Sequence, residues 1–168
     1  DLVIAQTLDN ALYALNINTG DIVWKDKQEA ENTIMVGGAA PAYKPTADLV
    51  VAAFSNGQLQ AYKASTGTPL WSEWLVSAAQ TESMADITSV KANPIIDESL
   101  VFAVGYNSPL MAVDIRTGVK LWQKDIAAAS QPWVGGKFLF VLTTDGDLAA
   151  LDKQTGKVVW TTIIPYAQ

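Results

Sequence analysis

Two carboxylates flank a single glycine in Asp145-Gly146-Asp147, and this pair invites a chemical interpretation. Neighbouring carboxylates suit a hard cation such as Ca²⁺, and paired carboxylates also serve as acid and base in glycoside hydrolysis. The further ligands of a calcium loop do not follow at the required spacing, and adjacent turn carboxylates have no evident substrate cleft. Because Asp-Gly is common in hairpin turns, we interpret this segment as a turn.

The sequence contains no histidine and no cysteine, which excludes several common kinds of catalytic and metal site. Disulfides, thiolate sites, the usual zinc sites and Ser-His or Cys-His arrangements cannot be assembled from this chain. There are 11 basic against 17 acidic residues, giving a net charge of −6 without any basic run. We therefore expect no catalytic residue, no metal and no nucleic-acid partner.

The apolar runs of the chain have the length of strands. The run over 49–54 is far shorter than the 18 or more residues that cross a bilayer, so no transmembrane segment is predicted. The first residues lack a basic region and a cleavage site, and we expect any targeting peptide to lie outside these 168 residues.

A thirteen-residue pattern occurs four times and determines the expected fold. Each copy has an alanine, a Thr-Gly pair and a tryptophan four residues after the glycine, and the glycines are 47, 51 and 38 residues apart. Such spacing is typical of propellers and solenoids. The shared residues are Ala14, Gly20, Trp24, Ala61, Gly67, Trp71, Ala112, Gly118, Trp122, Ala150, Gly156 and Trp160.

Each copy predicts a β-hairpin, in which an alternating strand is followed by a turn with its glycine at positive φ. An apolar run precedes every hairpin, and a short proline-containing strand precedes that run in three units. Four antiparallel strands make a propeller blade, and helical periodicity is not seen. We predict an all-β fold, a partial β-propeller of just under four four-stranded antiparallel blades. It forms one domain over 1–168, with repeats at about 1–38, 39–91, 92–129 and 130–168.

The tryptophans of the pattern are expected to fasten neighbouring blades. An indole on the outermost strand can pack against the small residue and the turn glycine of an adjacent unit. Trp74 and Trp133 lie outside the pattern, and we expect burial beside a blade in preference to stacking on a sugar or peptide. Asp114 and Asp152 are interpreted as turn caps, replaced by other residues in the first two units.

The pattern Ala-x-Asp-x-x-Thr-Gly-x-x-x-Trp, clearest over 112–122 and 150–160, is similar to the tryptophan-docking motif of PQQ-type propeller repeats. Within that superfamily, the stretch over 93–118 resembles the BamB family, propeller lipoproteins of the outer-membrane β-barrel assembly (BAM) machine. The resemblance covers essentially the whole chain. It implies a non-catalytic scaffold of eight blades without a cofactor at the periplasmic face of the outer membrane. Its expected partner is the periplasmic part of the barrel-inserting subunit BamA.

The resemblance also implies that the chain is a portion of a larger propeller. The signal and the lipid-attachment cysteine would lie outside it, so membrane contact is expected only through a lipid anchor that this chain lacks. Four units leave exposed edges, and exposed edges favour association. We therefore predict a homodimer that completes a ring-like body.

Two connections that follow tryptophans are long, from Trp24 to Pro41 and from Trp71 to Pro94. Variable loops on a repeated scaffold commonly carry function, and both loops should emerge at one rim. In the BamB family this rim binds the partner, often through acidic residues and an arginine. Other residue types stand at these positions here, so more apolar recognition is expected. The predicted contacts are Ile34, Met35, Val36, Met84, Asp86, Ile87, Ser89 and Lys91. The alternative is that the apolar residues of the first loop simply enter the core.

Two other functions remain open for a propeller of this type. Quinoprotein dehydrogenases share the docking motif, but their pattern includes a vicinal cysteine pair and calcium-binding residues that cannot be placed on this sequence. A surface propeller that binds a peptide or a sugar is the other possibility. Only the ligand of the long loops would separate it from an assembly scaffold.

Overall fold

The computed structural model describes residues 1–28, 39–75, 92–105, 109–128 and 130–165. In these ranges the chain forms fifteen strands in separate antiparallel sheets, together with a short 3₁₀ helix at Pro45–Ala47. The prediction of an all-β, open arc of propeller blades is confirmed. None of the described helical structure is long and apolar enough to cross a bilayer.

Strands that are adjacent in sequence are also neighbours in each sheet. The first sheet has three strands, β1 (Leu2–Gln6), β2 (Ala11–Asn16) and β3 (Ile22–Lys27). The second has β4 (Ala42–Lys44), β5 (Leu49–Ala53), β6 (Gln58–Lys63) and β7 (Pro69–Trp74). The third has β8 (Ile95–Asp97), β9 (Leu100–Ala103), β10 (Leu110–Asp114) and β11 (Lys120–Lys124). The fourth has β12 (Trp133–Gly135), β13 (Phe138–Leu142), β14 (Asp147–Asp152) and β15 (Val158–Ile163).

Three hydrophobic cores lie between consecutive sheets, because the sheets stack face to face. Successive residues of a strand point to opposite faces, so a central strand serves two cores. In β5, Val51 packs towards the third sheet, whereas Val50 packs towards the first. In β9, Val101 and Phe102 divide in the same way between the second and fourth sheets. The continuous apolar runs of the sequence are thus explained by burial on both faces.

The Thr-Gly turns have the conformation that the sequence predicts. The turn glycines have φ angles of 75°, 72°, 71° and 67° along the chain. At each turn the glycine N–H donates to the carbonyl four residues earlier, as Gly118 does to Asp114 at 2.8 Å. Only glycine adopts this left-handed backbone without strain, which explains its presence in every copy.

Side-chain caps hold the Thr-Gly turns, as interpreted from the sequence. Asp114 Oδ1 accepts hydrogen bonds from the Arg116 N–H at 3.0 Å and from the Thr117 N–H and hydroxyl at 2.9 Å each. Asp152 caps the fourth turn in the same way. Asn16 caps the first turn with its amide oxygen.

The second unit has Lys63 at the capping position and uses a different residue. Asp48, which follows the 3₁₀ helix, accepts from the Ser65 N–H at 2.7 Å and from the Ser65 hydroxyl at 2.6 Å. Asp48 itself has a left-handed backbone, with φ of 50°. The carboxylate of a preceding turn thus replaces the local cap.

Changing both Asp114 and Asp152 to asparagine should flatten the acid pH dependence of stability. Hydrogen bonds from Thr117 lower the pKa of Asp114, and those from Thr155 lower the pKa of Asp152. A carboxyl whose pKa falls on folding stabilises fully above its ordinary value, 3.8 here, and loses this contribution as the pH falls through the folded-state pKa. From about pH 5 to about pH 2 the wild type should lose more stability than the variant in urea titrations.

Asparagine keeps an acceptor oxygen, as Asn16 shows, so these turns should persist. Alanine at both positions removes the acceptor and should lower stability at every pH. Equal pH slopes for the wild type and the asparagine variant would contradict the assigned role of the carboxylates.

Candidate functional site

Three tryptophans each lie against the turn glycine of the next sheet, and we call each of these contacts between neighbouring sheets a joint. A Cβ atom built on Gly118 would lie 2.6 Å from Cδ2 of Trp71, which shows how closely the indole covers the glycine. The corresponding distances at the other two joints are 2.7 Å and 2.6 Å. The pairs are Trp24 with Gly67, Trp71 with Gly118 and Trp122 with Gly156.

Each of these indoles also donates a hydrogen bond across the joint. Nε1 of Trp24 donates to the Ala64 carbonyl at 2.6 Å. Nε1 of Trp71 donates to the Ile115 carbonyl at 2.8 Å, and Nε1 of Trp122 donates to the Lys153 carbonyl at 3.1 Å. The acceptor is always three residues before the turn glycine. Each turn therefore provides both the glycine on which the ring packs and the carbonyl that accepts its N–H.

The alanine of each copy lies opposite the tryptophan of its own sheet. The register pairs Ala61 with Trp71, and the other three alanines are paired likewise. The register shifts directly after this pair in every sheet, so that Leu70 is an extra residue between Pro69 and Trp71. Such a bulge bends the strand locally. It sets the direction of the indole that follows.

An ion pair adds to the joint between the third and fourth sheets. The Lys153 ammonium lies 2.6 Å from the Asp97 carboxylate and 3.5 Å from that of Glu98. Hydrogen bonding to Asp97 raises the pKa of Lys153. Lys153 therefore makes two kinds of contact at this joint. Its carbonyl accepts a hydrogen bond from Trp122, and its ammonium pairs with the acidic side chains at the turn between β8 and β9.

Gly20 and Trp160 occupy the two ends of the arc and are not brought together with a counterpart in the described ranges. A Cβ atom on Gly20 would have no heavy atom within 4 Å. The side chain of Trp160 is 43% exposed, compared with 9% for Trp122. All four copies therefore carry the pattern, but among the described residues Gly20 and Trp160 take part in no joint.

The expectation that Trp74 and Trp133 are buried is wrong. Trp74 is 48% exposed and Trp133 is 69% exposed. Trp133 stacks on Phe140 with ring centroids 5.3 Å apart. Its neighbour Val134 packs into the core between the last two sheets, so alternation directs Trp133 to the outer face. Trp74 lies at the end of β7, an outer edge strand.

The two long connections begin beside the turns that join the middle strands of their sheets. The Gln28 N–H donates to the Asn10 carbonyl at 3.1 Å, and the Leu75 N–H donates to the Gly57 carbonyl at 2.8 Å. We call this side of the arc the loop rim. The Thr-Gly turns lie at the other ends of the strands and form the opposite rim.

All eight predicted partner contacts lie outside the described residues, within 29–38 and 76–91. These are Ile34, Met35, Val36, Met84, Asp86, Ile87, Ser89 and Lys91. The described residues beside them are buried anchors. Ala39 and Leu75 belong to the core between the second and third sheets, and Ala92 belongs to the next core. The first connection therefore returns to the same inter-sheet core from which the second departs.

Polar contacts join the first two sheets at the loop rim. Asn10, only 2% exposed, donates to the Ser55 hydroxyl at 2.8 Å and accepts from the Ser55 N–H at 3.2 Å. Tyr62 donates to Asp26 at 2.7 Å, and burial together with this carboxylate raises the pKa of Tyr62. Gln28 also donates to Asp26, at 2.8 Å, directly before the first long connection.

Amide side chains link three consecutive units beside their prolines. The Ala40 N–H donates to Asn93 Oδ1 at 2.6 Å, and Asn93 Nδ2 donates to Gln131 Oε1 at 3.2 Å. All three residues stand immediately before a proline. That shared position was the available signal for a network that the sequence analysis missed.

The described residues contain no grouping of side chains suited to a metal ion. No three or more acidic side chains in the described ranges are grouped to hold a metal ion. The turn at 145–147 is an ordinary hairpin turn, in which Gly146 has φ of 90° and its N–H donates to the Thr143 carbonyl at 3.1 Å. This confirms the interpretation of the Asp-Gly-Asp segment.

Comparison with known proteins identifies a family and a fold. The family model described as "Outer membrane protein assembly factor BamB" matches residues 1–162. A protein of that name from Kangiella koreensis is 28% identical over 116 residues, 69% of this chain and 30% of the relative. The crystal structure of BamB from Moraxella catarrhalis matches 96% of this chain and 49% of its own, with 24% identity and a TM-score of 0.82.

A solved quinohemoprotein alcohol dehydrogenase from Comamonas testosteroni also matches 96% of this chain and 33% of its own, with a TM-score of 0.78 and 14% identity. At such low identity the likeness shows the fold alone. The chain spans less than half the length of each of these three proteins.

Proposed function

Because the chain belongs to the family of the outer membrane protein assembly factor BamB, we propose that it is part of a non-catalytic scaffold of the BAM complex. It acts at the periplasmic face of the outer membrane and binds the periplasmic domains of BamA. The observation that carries the proposal is the family match over residues 1–162. The likeness to the dehydrogenase, at 14% identity, offers no comparable support for an enzyme.

The described geometry supports the use of the loop rim for binding. Sites on rigid elements hold their geometry better than sites on unsupported loops. Here Ala39, Leu75 and Ala92 anchor the ends of the two long connections in packed cores. Asn10 and Ser55 cross-link the first two sheets at the same rim. The apolar side chains of the two connections supply the anchors, because buried apolar and aromatic contacts dominate most interfaces.

The decisive experiment is capture of purified BamA periplasmic domains by the immobilised chain. The wild type should capture them, and Val36→Asp combined with Lys91→Glu should abolish capture. The change places negative charges where apolar contact is proposed, and a desolvated unpaired charge is costly.

A matched control has the same charge change at the opposite rim. Val119→Asp combined with Lys63→Glu alters two exposed residues beside the Thr-Gly turns. This control should capture BamA like the wild type. Equal capture by the test variant and the wild type would refute the site, and no capture by a folded wild type would refute the partner.

A further inference from the structure

A small apolar pocket opens between the second and third sheets at the rim of the Thr-Gly turns, and we call it the turn-side pocket. It has a volume of about 230 Å³ and is lined by Ala47, Leu49, Leu70, Ile115 and Arg116. Leu49 and Ile115 belong to the buried core beneath it, whereas Leu70 is 52% exposed at its edge. The pocket lies on the rim opposite the loop rim, so it is separate from the proposed contacts with BamA.

The next joint fills the corresponding position with an ion pair. Ile115 and Lys153 both stand three residues before their turn glycine, and the carbonyl of each accepts the hydrogen bond of an indole. The Lys153 side chain is 9% exposed and pairs with the carboxylates of Asp97 and Glu98. Between the second and third sheets the facing groups are Ile115 and the 3₁₀ helix Pro45–Ala47, which carry no charge. An apolar pocket therefore stands where the neighbouring joint holds a paired lysine.

Hydrogen bonds fix the backbone on both sides of the turn-side pocket. The Ile115 N–H donates to the Ser99 carbonyl at 2.9 Å, and the Ile115 carbonyl accepts from Trp71 at 2.8 Å. On the second sheet, the carbonyl of Asp48, directly after the 3₁₀ helix, accepts from the Ala64 N–H at 2.8 Å. A site held by packed elements loses little freedom when it binds, which favours affinity.

Two cationic side chains stand at the mouth of the turn-side pocket. Arg116 lines it, and Lys63 pairs in register with Leu49, so both of these side chains lie on the same face of the second sheet. Neither Arg116 nor Lys63 forms an ion pair with another described residue. The nearby carboxylates of Asp48 and Asp114 are engaged in turn caps. The mouth therefore offers positive charge in a chain whose net charge is −6.

We propose that the turn-side pocket binds an acidic-apolar segment of a partner protein, in which one large apolar side chain is flanked by carboxylates. The apolar side chain enters the pocket, and the carboxylates accept hydrogen bonds from Arg116 and Lys63. The volume is below the roughly 300–1,000 Å³ of pockets for drug-sized ligands, and it suits a single side chain. Arginine favours a carboxylate partner because its planar fork donates two parallel hydrogen bonds.

Fluorescence anisotropy with labelled peptides tests the site on the whole chain. The first probe is a blocked peptide with one leucine between aspartate and glutamate residues. Matched probes have serine in place of the leucine, or amides in place of the carboxylates. The first probe should bind at least about tenfold more tightly than either matched probe, because each of these lacks one of the two proposed contacts.

Two variants of the chain test the pocket itself, and two serve as matched controls. Arg116→Gln should weaken binding of the first probe about tenfold, because it removes the charged donor. Ala47→Phe should abolish binding, since Ala47 is an exposed residue of the wall and a ring there occupies the pocket. Lys157→Gln removes an exposed cation at the same rim of the fourth sheet, and Leu121→Ser removes a leucine that is 51% exposed. Both controls should bind like the wild type.

Three results would overturn the proposal. The first is a wild type that binds none of the probes or binds all of them equally. The second is unchanged binding by a folded Ala47→Phe variant. The third is displacement of the first probe by dodecanoate at a lower concentration than by the unlabelled peptide, which would assign the pocket to a lipid.

Discussion

Gly118→Ala is expected to lower the free energy of unfolding by about 2–5 kcal/mol, a large fraction of the stability of an ordinary domain. The left-handed backbone, with φ of 71°, costs a side-chained residue about 1–2 kcal/mol. The added methyl would lie 2.6–2.7 Å from three ring atoms of Trp71, and overpacking of this kind costs about 1–3 kcal/mol more. Urea denaturation followed by circular dichroism measures the sum.

Two comparisons divide this loss into its parts. Gly136→Ala has a similar backbone, with φ of 60° and no heavy atom within 4 Å of the built Cβ, so it should show only the backbone cost of about 1–2 kcal/mol. In a Trp71→Ala background, Gly118→Ala should lose the overpacking part and cost about as much as Gly136→Ala. If all three costs are equal, the indole does not press on Gly118 and the joint is assigned incorrectly.

Trp122→Ala should destabilise the chain by about 3–5 kcal/mol, the usual cost of truncating a large buried aromatic side chain. Trp122 is 9% exposed and lies in the core between the last two sheets, where its ring is 6.0 Å from that of Phe102. The truncation leaves a cavity there, and the Lys153 carbonyl loses its donor. Thermal and urea unfolding both measure the loss.

Two variants control for the loss of a tryptophan as such. Trp74→Ala removes an indole that is 48% exposed, so its cost should stay near that of a surface substitution, within about 0.5–1 kcal/mol. Trp122→Phe keeps much of the ring and should cost less than alanine, with the lost N–H bond contributing about 1 kcal/mol. If Trp122→Ala leaves the stability unchanged, the structural role assigned to the tryptophan pattern is wrong.

The fold was predictable because its signals are local and repeated. The positive φ of Gly67 and Gly118, the hairpins around them and the short strands after Pro94 and Pro132 all follow from a few adjacent residues. Burial on both faces was also readable, since β5 is apolar at every position and internal to the stack.

The contacts between sheets were not predictable, because they join residues far apart in the sequence. Asn93 bonds Ala40 across 53 positions, and Asn10 bonds Ser55 across 45. Trp133 was misjudged for a related reason. An apolar residue in a strand is buried only if another sheet covers that face, and periodicity alone does not tell which faces are covered. The eight proposed partner contacts lie in two connections whose sequences do not repeat. No sequence pattern therefore predicts the positions of these side chains.

The bulge before each tryptophan limits where this chain tolerates insertions and deletions. Adding or removing one residue between the turn glycine and the tryptophan, for example at Leu121, would turn the indole to the other face of its strand. The connections that precede the prolines have no fixed length, because 9 residues lie between Trp122 and Pro132 and 22 lie between Trp71 and Pro94. Natural or engineered changes of length are therefore expected between the blades or as whole blades.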